Sequence, residues 1–213
     1  ALIRKQNTND TDFSTIFYFN LFVSVTLYIV LFFSIPLIAQ FFKEPLLVPV
    51  GHIIFLSIIF NAFYLVPLSQ LTKEMNYKII AKVNLISTTL SGGLGVLFAF
   101  MGYGVWSLVY QQVLFHFLRM IFYYLFKRWY PKWLFSFNVI RSFWSFSVHL
   151  LGTSLLNAIF NYIYILILGR FYVKKDVGYY TQANKLSEMF NFTFQTIIGS
   201  SYSLFAQIQD ENE

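Results

Sequence analysis

Six apolar stretches follow one another through 213 residues. Each is long enough to cross a bilayer, because about 20 residues rising roughly 1.5 Å apiece span a hydrocarbon core of about 30 Å. They run from Thr15 to Phe42, Leu46 to Leu68, Ile79 to Met101, Val105 to Phe126, Phe143 to Leu168 and Tyr180 to Phe205. A strand barrel needs shorter, alternating segments. The expected fold class is therefore an all-α integral membrane protein with about six transmembrane helices. Pro36, Pro49 and Pro67 fall near span ends, where a missing amide donor costs little; kinks within the helices are the alternative.

Lipid is the expected solvent. Hydrophobic residues make up 57% of the chain and charged residues 11%, and mean hydropathy is +0.61, too apolar for a water-soluble domain of this size. The net charge of +6 suits anionic lipid headgroups or an anionic cargo. Nucleic acid is not an expected partner, because the aromatics lie inside apolar spans instead of interleaving with a basic run. The absence of cysteine excludes disulfides, thiolate metal sites and a cysteine nucleophile. The chain begins at Ala1 and stops in Gln207-Ile208-Gln209-Asp210-Glu211-Asn212-Glu213, and reads as an internal piece of a longer protein.

Orientation follows from the lysines and arginines, which favour the cytoplasmic side of short loops. Arg4, Lys5, Lys73, Lys78, Lys82, Lys127, Arg128, Lys132 and Arg141 gather on one side, nine in all, against five on the other: Lys43, Arg170, Lys174, Lys175 and Lys185. Residues 1–14 are therefore expected in the cytoplasm. Trp129, Tyr130 and Trp133 on that side, with Tyr103 and Trp106 on the other, fit interfacial aromatic belts. The segment from Lys127 to Arg141 is the expected junction between two bundles. Residues 1–130 then belong to a first helical lobe with four transmembrane helices, 131–142 form a cytoplasmic linker, and 143–213 begin a second lobe with two.

Polar residues inside the spans recur at helical spacing. Ser87, Ser91, Gly95 and Ala99 form a ridge of small side chains that lets a neighbouring backbone approach; Gly92, Gly93 and Gly95 are alternatively a flexible point. Gln112, His116 and Arg119 share one face of the fourth span. They either line a cargo path, as ionisable groups in a membrane often do, or Arg119 snorkels to the cytoplasmic interface while a neighbouring helix satisfies His116. His149, Thr153, Asn157 and Asn161 mark a stripe on the fifth span, and Asn184, Glu188, Asn191 and Gln195 one on the sixth. Such stripes either bond helix to helix or line an aqueous cavity. Glu188 either carries a coupled proton or pairs with a cation such as Lys185 or Arg119.

Enzyme signatures are lacking: there is no phosphate-binding Walker loop, no His-Glu-x-x-His and no Gly-x-Ser-x-Gly. Asp10-Thr11-Asp12 matches a short metal-nucleotide motif of some glycosyltransferases, but helix capping explains it better. No catalytic residue, metal site or cofactor is expected, and the chain is not expected to be an enzyme.

Several local patterns together resemble the bacterial polysaccharide biosynthesis flippases of the multidrug/oligosaccharidyl-lipid/polysaccharide exporter superfamily. They are Ala1-Leu2-Ile3-Arg4-Lys5 with Asp12-Phe13-Ser14-Thr15; Leu71-Thr72-Lys73-Glu74-Met75-Asn76-Tyr77-Lys78; Gly102-Tyr103-Gly104-Val105-Trp106-Ser107-Leu108; and Gly169-Arg170-Phe171 leading to Val177-Gly178-Tyr179-Tyr180-Thr181-Gln182-Ala183. At Phe205-Ala206 the chain departs from the pattern, which has proline after the aromatic. The resemblance implies a two-lobed helical transporter of about twelve or more helices around a central cavity, with these spans the third to eighth. It implies a flippase that moves an undecaprenyl-pyrophosphate-linked oligosaccharide, such as an O-antigen, lipopolysaccharide or exopolysaccharide repeat unit, across the bacterial inner membrane by alternating access. Its implied partners are the lipid-linked oligosaccharide, membrane lipids and other polysaccharide-assembly proteins. Candidate cavity residues are Gln112, His116, Arg119, His149, Asn157, Asn161, Asn184, Glu188, Asn191 and Gln195. Alternatives are a membrane-embedded sugar polymerase or transferase and a drug exporter of the same superfamily.

The charge asymmetry sets a labelling experiment in the full-length protein. In intact cells, an impermeant thiol reagent is expected to label Lys174→Cys and spare Ser136→Cys; the reverse pattern would invert the orientation.

Overall fold

The computed structural model describes residues 9–173 and 175–190. Helices α1 (Asp10–Phe42), α2 (Leu47–Ile54), α3 (Leu56–Lys73), α4 (Tyr77–Phe100), α5 (Val105–Lys127) and α6 (Phe137–Phe171) follow in order, then a helical stretch at 175–190. Among the described residues there is no strand, and the all-α membrane fold read from the sequence holds. The chain forms two compact units, residues 1–153 and 154–213.

Four described helices are long and apolar enough to cross a membrane: Asp10–Phe42, Leu47–Lys73, Tyr77–Phe100 and Ser147–Phe171. The span expected at Leu46–Leu68 is divided into α2 and α3 by a turn at Phe55. Helix α5 has 23 residues against 24 in α4, but Gln111, Gln112, His116 and Arg119 leave it less apolar than those four. Of the span expected at Tyr180–Phe205, the residues beyond 190 lie outside the described set. Pro49 falls in the first turn of α2, where no intrahelical donor is needed. Pro36 and Pro67 lie inside α1 and α3 and do not end them.

The acidic start of α1 is a capped helix end. Asp12, 4% exposed, accepts a hydrogen bond from the Asn9 amide at 3.1 Å, which gives one orphan backbone donor a partner. Asp10 pairs with Lys132. The segment after α5 lies against this end: the amide of Lys132 donates to Ser14 Oγ at 3.0 Å and that of Ser136 to Thr15 Oγ1 at 3.1 Å. Trp129 meets Phe17 edge-on at 5.8 Å. A second ion pair joins Lys127 to Glu74. Lys127 and Lys132, two of the nine basic residues assigned to one side, thus meet acidic residues at one end of the first unit.

Contacts in register set the helix directions. Val83 packs in the same core cluster as Tyr123, Gly95 faces Gln111 and Phe98 meets Tyr110 at 5.9 Å, so α4 and α5 are antiparallel. Phe60 meets Phe117, the Tyr124 hydroxyl donates to the Phe63 carbonyl at 3.1 Å, and Glu74 pairs with Lys127. Helices α3 and α5 therefore run in the same direction. At the α4–α5 turn Gly104 takes φ 53° and ψ −124°, a combination open to glycine without steric penalty.

Of the small-residue ridge, Ser87, Ser91 and Gly95 are buried, whereas Ala99 is exposed. A Cβ on Gly95 would meet Gln111 Cβ at 3.0 Å and Oε1 at 2.8 Å, so Gln111 would have to shift to admit a side chain here. The other faces carry exposed large apolar residues, among them Phe33, Leu37 and Leu85 at 73%, 68% and 70%, as a lipid solvent requires.

This contrast gives a stability test in the full-length protein. Gly95→Leu is expected to destabilise it by about 1 to 3 kcal/mol through overpacking, read as a lower melting temperature in detergent. Gly93→Ala, with nothing within 4 Å of its Cβ position, is expected to be neutral or mildly stabilising, since alanine is the better helix former by about 1 kcal/mol.

Candidate functional site

Helix periodicity places Gln112, His116 and Arg119 on one face of α5, and α3 supplies what they meet. Arg119 Nη1 donates to the Tyr64 hydroxyl at 3.2 Å. The same hydroxyl is hydrogen-bonded to His116 Nδ1 at 3.0 Å, and Gln112 Nε2 lies 3.2 Å from His116 Nε2. The four side chains form one continuous chain across the α3–α5 interface.

Aromatic rings enclose the cation. The Arg119 guanidinium carbon stands 4.7 Å from the ring centre of Tyr64, 5.3 Å from that of Phe115 and 5.7 Å from that of Tyr123. Such a contact is worth about 0.5 to 1 kcal/mol at an exposed site and about 2 kcal/mol where the cation is desolvated. Tyr64 and Tyr123, stacked at 5.5 Å, are themselves 2% and 0% exposed, and with Leu71 and Val83 form the buried core. Arg119 is half-buried. Tyr64 of the neighbouring helix α3 thus partners both His116 and Arg119.

Buried polar atoms without a hydrogen-bond partner among the described residues concentrate here. They are Arg119 Nε and the Tyr123 hydroxyl on α5, Gln70 Oε1 on α3, and Asn84 Oδ1 and Ser87 Oγ on α4. The pairing of Val83 with Tyr123 and Gly95 with Gln111 puts Ser87 level with Arg119. Buried polar groups normally find partners, so this seam has donor and acceptor capacity in reserve. Arg119 Nε is a charged donor suited to an anionic oxygen.

The remaining candidates are placed as follows. His149 is exposed on α6, and its carbonyl accepts from Thr153 Oγ1 at 3.0 Å. Asn157 and Asn161 are exposed on the part of α6 in the second unit. Asn184 donates to Glu188 Oε1 at 2.9 Å, one turn apart on the same helix. Asn191 and Gln195 lie outside the described residues.

Sequence reasoning missed Tyr64, Tyr123 and Phe115. Tyr123 lies four residues after Arg119, a helical neighbour whose signal was present. Tyr64 sits 55 residues away, and only the α3–α5 register brings it in.

The two tyrosines make a matched test of the network. Tyr64→Phe is expected to destabilise the full-length protein by about 1 to 3 kcal/mol, because it strips a partner from two groups. Tyr123→Phe keeps the ring and removes a hydroxyl with no partner among the described residues, so its melting temperature is expected to stay within a degree or two or rise.

The family described as polysaccharide biosynthesis protein matches residues 1–213. The chain is 26% identical over 220 residues to the teichuronic acid biosynthesis protein TuaB of Bacillus subtilis (strain 168), covering all of this chain and 44% of that protein. It is 25% identical over 214 residues to the succinoglycan biosynthesis transport protein ExoT of Rhizobium meliloti (strain 1021), again covering all of this chain and 43% of the relative. The chain therefore spans less than half the length of these curated relatives. No solved structure matches it significantly. The match along every residue, on an all-helical membrane fold, means that this chain belongs to the polysaccharide biosynthesis protein family.

Proposed function

We propose that the protein containing this chain is a transporter and not an enzyme, and that it flips a lipid-linked polysaccharide repeat unit across the bacterial inner membrane. The observation that carries the proposal is the guanidinium of Arg119, held between α3 and α5 by Tyr64 with its Nε donor unpaired among the described residues. A cation within a transmembrane bundle is expensive, and ionisable groups kept there mark cargo paths. A pyrophosphate linker carries such a charge. Both relatives bear names that concern polysaccharide biosynthesis, and one of them names transport, which supports polysaccharide as the cargo.

In this mechanism no covalent bond is made. Arg119 attracts the anionic linker, with bidentate geometry that lysine lacks. In the whole protein Gln112, His116, His149, Asn157, Asn161, Asn184, Glu188, Asn191 and Gln195 are the candidates proposed to meet sugar hydroxyls. Alternating exposure of the cavity to the two leaflets then carries the headgroup across. Residues 1–14 face the cytoplasm in this scheme, with the segment 131–142 linking the two lobes on the same side.

In the full-length protein, Arg119→Ala is expected to lower export about tenfold or more, the scale of one lost charged hydrogen bond, and Arg119→Lys to restore part of it. Asn161→Leu should act more mildly. Complementation of a flippase-deficient strain, scored by surface polysaccharide and by membrane abundance, separates lost transport from lost protein. Wild-type export by Arg119→Ala at normal abundance would remove Arg119 from the cargo path.

A further inference from the structure

Between α3 and α5 lies an apolar groove of about 590 Å³, lined by Phe60 and Phe63 of α3, Met120, Ile121, Tyr124 and Leu125 of α5, and Tyr130 beyond it. We propose that it seats one acyl chain of an anionic membrane phospholipid, with the lipid phosphate against Arg128.

The lining is dry chemistry. The Tyr124 hydroxyl is already satisfied by the Phe63 carbonyl at 3.1 Å, and the Tyr124 and Tyr130 rings, 5.9 Å apart, both line the groove. The volume falls within the range of roughly 300 to 1,000 Å³ that encloses one small ligand. A single acyl chain suits it; a long polyprenyl chain exceeds it.

The groove's extent argues against a protein helix. Its α5 lining runs only from Met120 to Leu125, about 8 Å along the axis, whereas a transmembrane helix is about 10 to 12 Å wide and needs a trough about 30 Å long. A slim, flexible chain can lay one segment of its length in such a short recess and leave the rest in the bilayer.

Charge chooses the headgroup. Arg128 caps α5, its amide bonded to the Tyr124 carbonyl at 2.9 Å, and its exposed side chain stands between two groove residues in sequence. Lys127 and Lys132 are paired with Glu74 and Asp10, while among the described residues no carboxylate pairs with Arg128. A phosphate at the membrane surface supplies the missing counter-charge. This site does not depend on the transport reading, since any bilayer with anionic lipid provides the occupant.

The test uses the full-length protein in nanodiscs of phosphatidylglycerol and phosphatidylcholine with identical chains, followed by native mass spectrometry of retained lipid. Wild type is expected to retain phosphatidylglycerol about fivefold over phosphatidylcholine, the scale of one arginine at an anionic surface; Arg128→Ala should abolish that preference, and Ile121→Trp should reduce retention of both lipids. A phosphatidylglycerol with a photoreactive acyl chain, used on wild type, is expected to label the peptide containing residues 120–125, which keeps the test independent of any variant's folding. Equal retention of the two lipids, or labelling elsewhere only, would overturn the proposal. So would labelling of 120–125 that polyprenyl phosphate suppresses and excess phosphatidylglycerol does not, which would give the groove to the carrier lipid. Unchanged lipid retention with a lowered melting temperature in Ile121→Trp would assign it to a protein segment instead.

Discussion

A guanidinium left facing hydrocarbon is costly, and the packing of α3 against α5 is organised around that cost. The Tyr64 hydroxyl meets both Arg119 and His116, while its ring and that of Tyr123 stack and cover the cation. These tyrosines are also the largest fully buried side chains of the core. The same residues therefore stabilise the helix contact and keep the charge in place. In lipid, where burying apolar surface drives little association between helices, such polar and aromatic contacts carry a large part of the specificity.

The other helices follow from close approach. Gly95 lets α4 come against Gln111 of α5, and the antiparallel register that results brings Val83 to Tyr123 and Ser87 level with Arg119. At the opposite flank Gly51 meets Ile35 of α1, where a Cβ would stand 2.7 Å from two atoms of the isoleucine side chain. One end of the first unit is then tied by polar bonds, with Ser14, Thr15 and Asp10 of α1 holding the segment after α5 and Glu74 holding Lys127. The apolar groove beside Tyr124 opens next to this tied end, and so lies where a lipid headgroup would meet basic residues.

The polar stripes differ in what they meet. The α5 stripe is engaged, each of its members touching another or Tyr64. On α6, by contrast, Asn157 and Asn161 stand exposed, and Asn184 turns to Glu188 within its own helix. In a chain spanning less than half of its relatives, the proposed cavity draws on the whole protein.

The sequence alone determined the class of the fold, because the hydrocarbon thickness translates directly into a minimum run of apolar residues, and it placed Gln112, His116 and Arg119 on one face because helical periodicity is local. It also marked Ser87, Ser91, Gly95 and Ala99 as a packing ridge, of which all but Ala99 are buried, and Asp10-Thr11-Asp12 as a capping segment, both local patterns of spacing. What it could not contain is register between helices distant in the chain. That Tyr64 answers Arg119 across 55 positions, that Gln111 fills the space over Gly95, and that Phe63 and Tyr124 frame a groove were decided by tertiary packing. Many apolar helix pairings bury nearly equal surface, and close approach and matched hydrogen bonds select among them.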